Sequence, residues 1–157
     1  MSTTKVSSIL DLLEAEIKNT FPNKTEAPNP FEIESNNERF LRDGFALYYG
    51  AGSSDIEEFP TFQVYIRSVQ VVLIKSIFKN RSDDQAYQDI QKSLLEDQNT
   101  LITSLAKSRA FDSNVISLEF ANDNGIESVF SDKFNFLKLD STFELRYRED
   151  KNYRYPN

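Results

Sequence analysis

Leu137-Lys138-Leu139-Asp140-Ser141-Thr142-Phe143-Glu144-Leu145-Arg146-Tyr147 is the stretch on which the fold turns. Successive side chains of an extended chain point to opposite faces. Leu137, Leu139, Phe143, Leu145 and Tyr147 therefore share one side, and Lys138, Asp140, Thr142, Glu144 and Arg146 share the other. Such a strand packs one face on a core and turns the other to water or to a partner, as in an antiparallel sheet.

Upstream, Val115 to Phe120 reads as another strand. Asn122-Asp123-Asn124-Gly125 after it carries the Asn-Gly signal of a tight turn. The longest strand signal spans Thr61 to Phe78. Phe62, Val64 and Ile66 share a face, as do Val72, Ile74 and Phe78, and Gln63, Tyr65 and Arg67 face the other way. Val69, Val71 and Leu73 make that second face apolar too, so the middle is either buried on both sides or bent by a bulge. Phe40 to Tyr49 reads as a strand kinked at Gly44. Gly50 to Ser54 reads as a turn or loop leading into the acidic Asp55, Glu57 and Glu58.

Two helices complete the pattern. Val6, Leu10, Leu13 and Ile17 form one apolar stripe, with Thr3 or Thr4 to cap it and Pro22 to end it. Pro22 to Pro30 holds three prolines in nine residues and reads as a loop. Ser82 and Gln85 have capping-box spacing ahead of a stripe of Tyr87, Ile90, Leu94, Leu101 and Leu105 that runs to about Ser108. The order helix, strand, strand, helix, strand, strand predicts a single α+β domain over residues 1–157. Its two layers are an antiparallel or mixed sheet and two helices packed on one face. Residues 152–157 have no periodicity and read as an extended C-terminal arm.

Composition narrows the chemistry. The 157 residues include 13 phenylalanines and seven tyrosines but neither cysteine nor histidine. Ser-His-Asp and Cys-His catalysis, disulfides and thiolate metal sites are thereby excluded. The net charge of −7 argues against binding nucleic acid through its phosphates. No apolar run reaches the roughly 20 residues that span a bilayer, so no membrane association is expected.

Individual motifs have structural readings. Gly50-Ala51-Gly52 lacks the Gly-Lys-Ser/Thr ending of a phosphate loop. Asp83 and Asp84 suit a helix N-terminus, where carboxylates are favoured. Asn122 to Gly125 lacks the first acidic residue and closing glutamate of a calcium loop. Arg146, Arg148, Lys151 and Arg154 alternate with Tyr147, Tyr153 and Tyr155, but Glu149 and Asp150 interrupt them, which suits a protein contact better than a nucleic-acid one. No catalytic residue, metal or cofactor is expected, and an enzyme would have to run on carboxylates, lysines and tyrosines.

The N-terminal amphipathic helix, PNPFEI (28–33), NNERFLRDGFALYYGAG (36–52), VVLIKSIF (71–78), FANDNGIE (120–127) and the final amphipathic strand follow one another in an order that resembles the tail terminator, or tail completion, proteins of long-tailed bacteriophages. The resemblance spans residues 5–150. It implies a structural virion protein, made in the host cytoplasm, that forms a hexameric ring at the tail–neck junction. Such a ring caps the tail tube, ends its polymerisation and receives the head connector, while DNA passes through its lumen without specific binding. Its implied partners are further copies of itself, the tail tube protein and a connector or neck protein. Another neck component or a tail tube-like protein is the alternative, followed by a small binding module.

Two segments are expected to meet neighbouring subunits. Gly44 to Phe59 sets Phe45, Tyr48, Tyr49 and Phe59 beside an acidic glycine-serine stretch, and Arg148 to Pro156 carries Arg148, Tyr153, Arg154 and Tyr155. Aromatic residues this close to polar loops are unfavourable to leave in water. The competing expectation is a loop folded on its own sheet and a frayed tail.

Overall fold

The computed structural model describes residues 5–33, 36–58, 62–77, 84–107, 115–130 and 135–150. Chain order runs α1 (Lys5–Thr20), β1 (Thr25–Glu26), α2 (Glu38–Arg42), β2 (Asp43–Glu58), β3 (Phe62–Ile77), α3 (Asp84–Lys107), β4 (Val115–Phe130) and β5 (Asn135–Asp150). The strands form one sheet in the order β1-β2-β3-β5-β4. Only β1 runs parallel to its neighbour, so the sheet is mixed and the fold is α+β.

The register settles which residues share a face. Val69 lies opposite Phe143, Leu73 opposite Leu139, and Val72 opposite Asp140. Odd-numbered residues of β3 and β5 thus face α1 and α3, and even-numbered ones face away, as the alternation from Leu137 to Tyr147 predicts. The main core gathers Phe45, Leu47, Val69, Val71, Leu73, Leu137, Leu139, Phe143 and Leu145 from the sheet. Ile9, Leu13 and Ile17 of α1 and Leu94, Leu101 and Leu105 of α3 close over them. Ile9 therefore sits at the centre of the α1 stripe, and Leu10 is displaced to its flank.

Gln98 occupies the turn of α3 between Leu94 and Leu101, where the stripe has a polar gap. Its amide Nε2 donates to Ser141 Oγ at 2.9 Å and to Asp123 Oδ2 at 3.0 Å. Ser141 is wholly buried, so this bond satisfies a hydroxyl that water cannot reach. The two helices are joined by Ser104 Oγ, which donates to Glu16 Oε1 at 2.8 Å and lies 2.7 Å from Thr20 Oγ1.

The opposite face has a different cover. Ala27, Ile33, Phe40 and Leu41, from the chain between β1 and β2, pack on Ala46, Val72, Ile74 and Phe136. Phe40, Leu41 and Arg42, expected in a strand, are helical instead. Asn37 caps that short helix by accepting from the Phe40 N–H at 3.1 Å, and both Phe40 and Leu41 are buried by the turn that results. Gly44 is where strand and strap come closest. A Cβ there would overlap the Phe40 carbonyl and ring and the Thr25 carbonyl.

Two expected turns lie within strands. β2 continues through Gly50 to Ser54, with a register shift between Tyr49 and Gly52. The Arg67 guanidinium lies over Gly52 and donates to the Gly50 carbonyl at 3.2 Å, which supports a bulge in place of a loop. Asn122 to Gly125 is likewise a bulge of β4, between Asp123 and Ile126. Gly125 takes a φ of 78°, and Asp123 Oδ1 accepts from its N–H at 2.8 Å. Phe78, the Ser82 cap with Asp83, and Thr3 and Thr4 lie outside the described residues.

Candidate functional site

Two polar clefts sit at opposite faces of the same end of the sheet. The first, about 200 Å³, lies where the turn after α1 meets β2, β3 and α3. Lys24 enters it with a side chain only 4% exposed and pairs with Asp43 and, at 3.1 Å, with Asp97 Oδ2. Lys75 lies 3.3 Å from the same oxygen and donates to Ser93 Oγ. The Asp97 contacts are ion pairs and not aligned hydrogen bonds. Two ammonium groups face two carboxylates, so the cluster is neutral, and it ties four segments together. Its four charged groups are taken up in pairs with one another.

The second cleft, about 240 Å³, opens on the face away from α1 and α3. Ile33 and Val72 form its apolar floor, and Pro30, Phe31, Tyr48, Lys138 and Asp140 form its walls. Phe31 is 77% exposed, the most exposed large apolar side chain among the described residues. Its ring centroid lies 5.5 Å from that of Tyr48, tilted by 52°. A lone aromatic on a mobile loop would mean little, but this loop is held. Asn29 Oδ1 accepts from the Phe31 N–H at 3.1 Å. The Asn36 amide donates to the carbonyls of Asn29, Glu32 and Ile33 at 2.8–3.1 Å, and its Oδ1 accepts from the Asn29 N–H. The buried Ile33 anchors the end of the loop. Phe31 is thus fixed in an exposed position, where an apolar side chain costs free energy unless something covers it.

Asp140 is the second unusual group. Its Oδ1 is buried and has no hydrogen-bond partner among the described residues. Burial pushes its carboxyl above the usual range; Lys138 opposes that shift and Glu127 adds to it. The Lys138 ammonium lies 3.4 Å from Glu127, which draws it toward the outer strand. Burial and the charge of Asp140 raise the Tyr48 phenol in turn. A desolvated carboxylate beside two aromatic faces favours a cation, because its buried oxygen has no hydrogen-bond partner among the described residues and ring faces attract positive charge. Among the described residues no cluster of three or more acidic side chains could hold a metal ion.

The expected contact residues do not form one surface. Phe45 is 0% exposed beneath the helices and has no area to offer a neighbour, which corrects its assignment. Strand alternation explains this, because Phe45 lies one residue from Ala46 and so faces the main core. Tyr49 lies on the same side, half-buried, with its hydroxyl donating to the Val6 carbonyl, and burial pushes its phenol well up. Tyr48 alone of these three reaches the second cleft. Arg148 is exposed on that same face, in register with Val64, some six residues along β5 from Thr142. Phe59, Tyr153, Arg154 and Tyr155 lie outside the described residues.

Phe31, Lys138 and Asp140 were not singled out by sequence reasoning. An aromatic inside a Pro/Asn-rich loop was an available signal for Phe31. Asp140 had none, since alternation placed it on the solvent face. No helix of the described residues is long and apolar enough to cross a membrane. No protein-family model matches the chain, and no curated protein does so.

Proposed function

We propose that the chain is a structural subunit of a phage tail ring, a tail terminator that caps the tube and presents a surface to the head connector. The observation that carries the reading is the fixed, exposed Phe31 beside the uncompensated Asp140 on the sheet face that α1 and α3 leave open. Such a surface suits recognition of protein, with an aromatic anchor and a buried charge to set register.

The sheet edge supports the same choice of contact. β4 pairs only with β5 among the described strands, and three register shifts interrupt it. Bulges of this kind deter strand-to-strand addition. Subunits would then associate through side chains on faces and not by extending the sheet. Ring closure requires heterologous contacts, with one patch of each copy meeting a different patch of the next. The net charge of −7 fits a lumen through which DNA slides without being held.

The test is a phage unable to make this protein. The expected particles carry tail tubes of unregulated length, unattached to heads. Tails of normal length that fail to join heads would transfer the assignment to a neck component. Normal, infective particles would end the virion reading altogether.

A further inference from the structure

The cleft at Phe31, Tyr48 and Asp140 has a shape and charge that ask for one kind of occupant, a cation carried beside apolar or aromatic surface. The chain holds such a segment in Lys151-Asn152-Tyr153-Arg154-Tyr155-Pro156-Asn157, which continues from β5 and lies outside the described residues. Arg154 sits there between two tyrosines. A guanidinium pairs with a carboxylate as a charge and stacks on aromatic rings, so it suits the half-exposed Asp140 and the two rings of the cleft.

Reach decides whose Arg154 it is. Asp140 and Asp150 lie ten residues apart on one continuous strand, about 33 Å at the strand rise. Arg154 is four residues beyond Asp150, which gives at most about 14 Å of chain. Even folded straight back along β5, it falls well short of the cleft of its own subunit. We infer that the cleft formed by Phe31, Tyr48 and Asp140 receives Arg154 from the C-terminal segment of a second copy. The cleft and the segment that follows β5 are different patches of the chain, so a contact between them is heterologous and can be repeated from copy to copy around a ring. The inference rests on the assembly reading above and names its joint.

Lys138 bears on the geometry. Its ammonium lines the cleft and would repel an incoming guanidinium, but its ion pair, at 3.4 Å, is with Glu127. The Tyr48 phenol remains neutral, and with Lys138 paired to Glu127 the Asp140 carboxylate is the charged group left without an ion-pair partner in the cleft.

The absence of native cysteine makes the joint directly testable in the full chain. Pro30→Cys marks the cleft wall and Tyr155→Cys marks the arm, leaving Phe31, Asp140 and Arg154 in place. The two single variants are mixed, concentrated or added to isolated tail tubes, and treated with a short thiol cross-linker. Heterodimers are expected. Adding Asp140→Arg to the first partner should lower their yield by about tenfold or more, as reversal of a desolvated charge pair does. Adding Arg154→Asp to the second partner as well should restore it. Circular dichroism shows whether Asp140→Arg still folds, and Arg154→Ala, checked in the same way, is expected to give the same loss from the other partner. Absence of heterodimers under both conditions would overturn the inference. So would yields indifferent to Asp140 and Arg154, or cross-links confined to single chains of a Pro30→Cys/Tyr155→Cys double variant. Cross-linking as expected in a protein that leaves tail length untouched would keep the joint and remove the terminator role. Arg154→Ala subunits that cap tails normally would do the reverse.

Discussion

On one face of the sheet Phe45, Leu73, Leu139 and Phe143 lie under two long helices, and every one of them is essentially fully buried. On the other, an irregular strap with a five-residue helix covers only Ala46, Val72, Ile74 and Phe136, and beyond it Gln70, Thr142, Glu144 and Arg146 remain partly or wholly open. The same strands supply both faces, residue by residue. What differs is the second layer, and the contrast separates stability from recognition. The covered face has its polar members paired, as with Gln98 and Ser141, whereas the open face keeps an orphan carboxylate and a fixed exposed ring.

The sharpest way to break this contrast is truncation of adjacent residues on β5. Phe143→Ala should cost about 3–5 kcal/mol in urea unfolding, since the ring is buried and sits edge-on to Phe120 at 5.7 Å. Thr142→Ala removes one hydrogen bond to Gln70 Oε1 and should cost about 0.5–1.5 kcal/mol. Equal losses would mean that the two faces are energetically alike.

The strap is tested through Gly44. An alanine there must push the Phe40 carbonyl or β1 away, and overpacking of this kind costs about 1–3 kcal/mol. A melting temperature unchanged in Gly44→Ala would show that the strap is not fixed to the strand. Gln98→Leu probes the covered face and should lose a similar amount, about 1–3 kcal/mol, by orphaning the Ser141 hydroxyl. If it proved neutral, the polar pair would be incidental to α3 docking.

The smallest effects are in pH, and they run in opposite directions on the two faces. Asp123 is held below the usual carboxylate range by the Gln98 amide and then by the Gly125 N–H. Its contribution is present above the unfolded pKa of about 3.9 and is lost as pH falls through the lower folded value. Asp140 is raised by burial, so its charge weakens the isolated subunit once pH rises past the unfolded value. Asp140→Asn should therefore stabilise the free protein slightly at pH 7 while weakening assembly. Asp123→Asn should flatten the loss of stability between about pH 5 and 2. A stabilising Asp123→Asn and a destabilising Asp140→Asn at neutral pH would invert the assignment.

The difference between the faces also explains what could be read from the chain alone. The alternation from Leu137 to Tyr147 and the stripes of the two helices were legible because period and burial coincide in them. β2 was cut short in that reading because Gly50 to Ser54 lacks large apolar residues, although β3 still pairs with Gly52, Ser53 and Ser54. Asn122 to Gly125 has the chemistry of a turn, yet β5 continues opposite it and turns it into a bulge. The strap was hidden because Asn37 and Phe40 form a cap and a plug only when a sheet lies beneath them. Asp140 was illegible for the same reason. The cleft it lines is completed by residues about a hundred positions earlier, Phe31 and Ile33.

One arrangement bears on how the chain becomes this structure. The central pair, β3 with β5, joins residues from Ile77 and Asn135 to Phe62 and Asp150, partners 58 to 88 positions apart. The flanking pairs, β2 with β3 and β4 with β5, are neighbours in sequence. Loop closure over such a distance is slow, and sheets dominated by it fold in about milliseconds to seconds. During synthesis β3 therefore waits, with Val69, Val71 and Leu73 on one side and Val72 and Ile74 on the other, until β5 has been made. The segment at greatest risk of aggregation in the nascent chain is thus the one that ends up in the middle of the sheet.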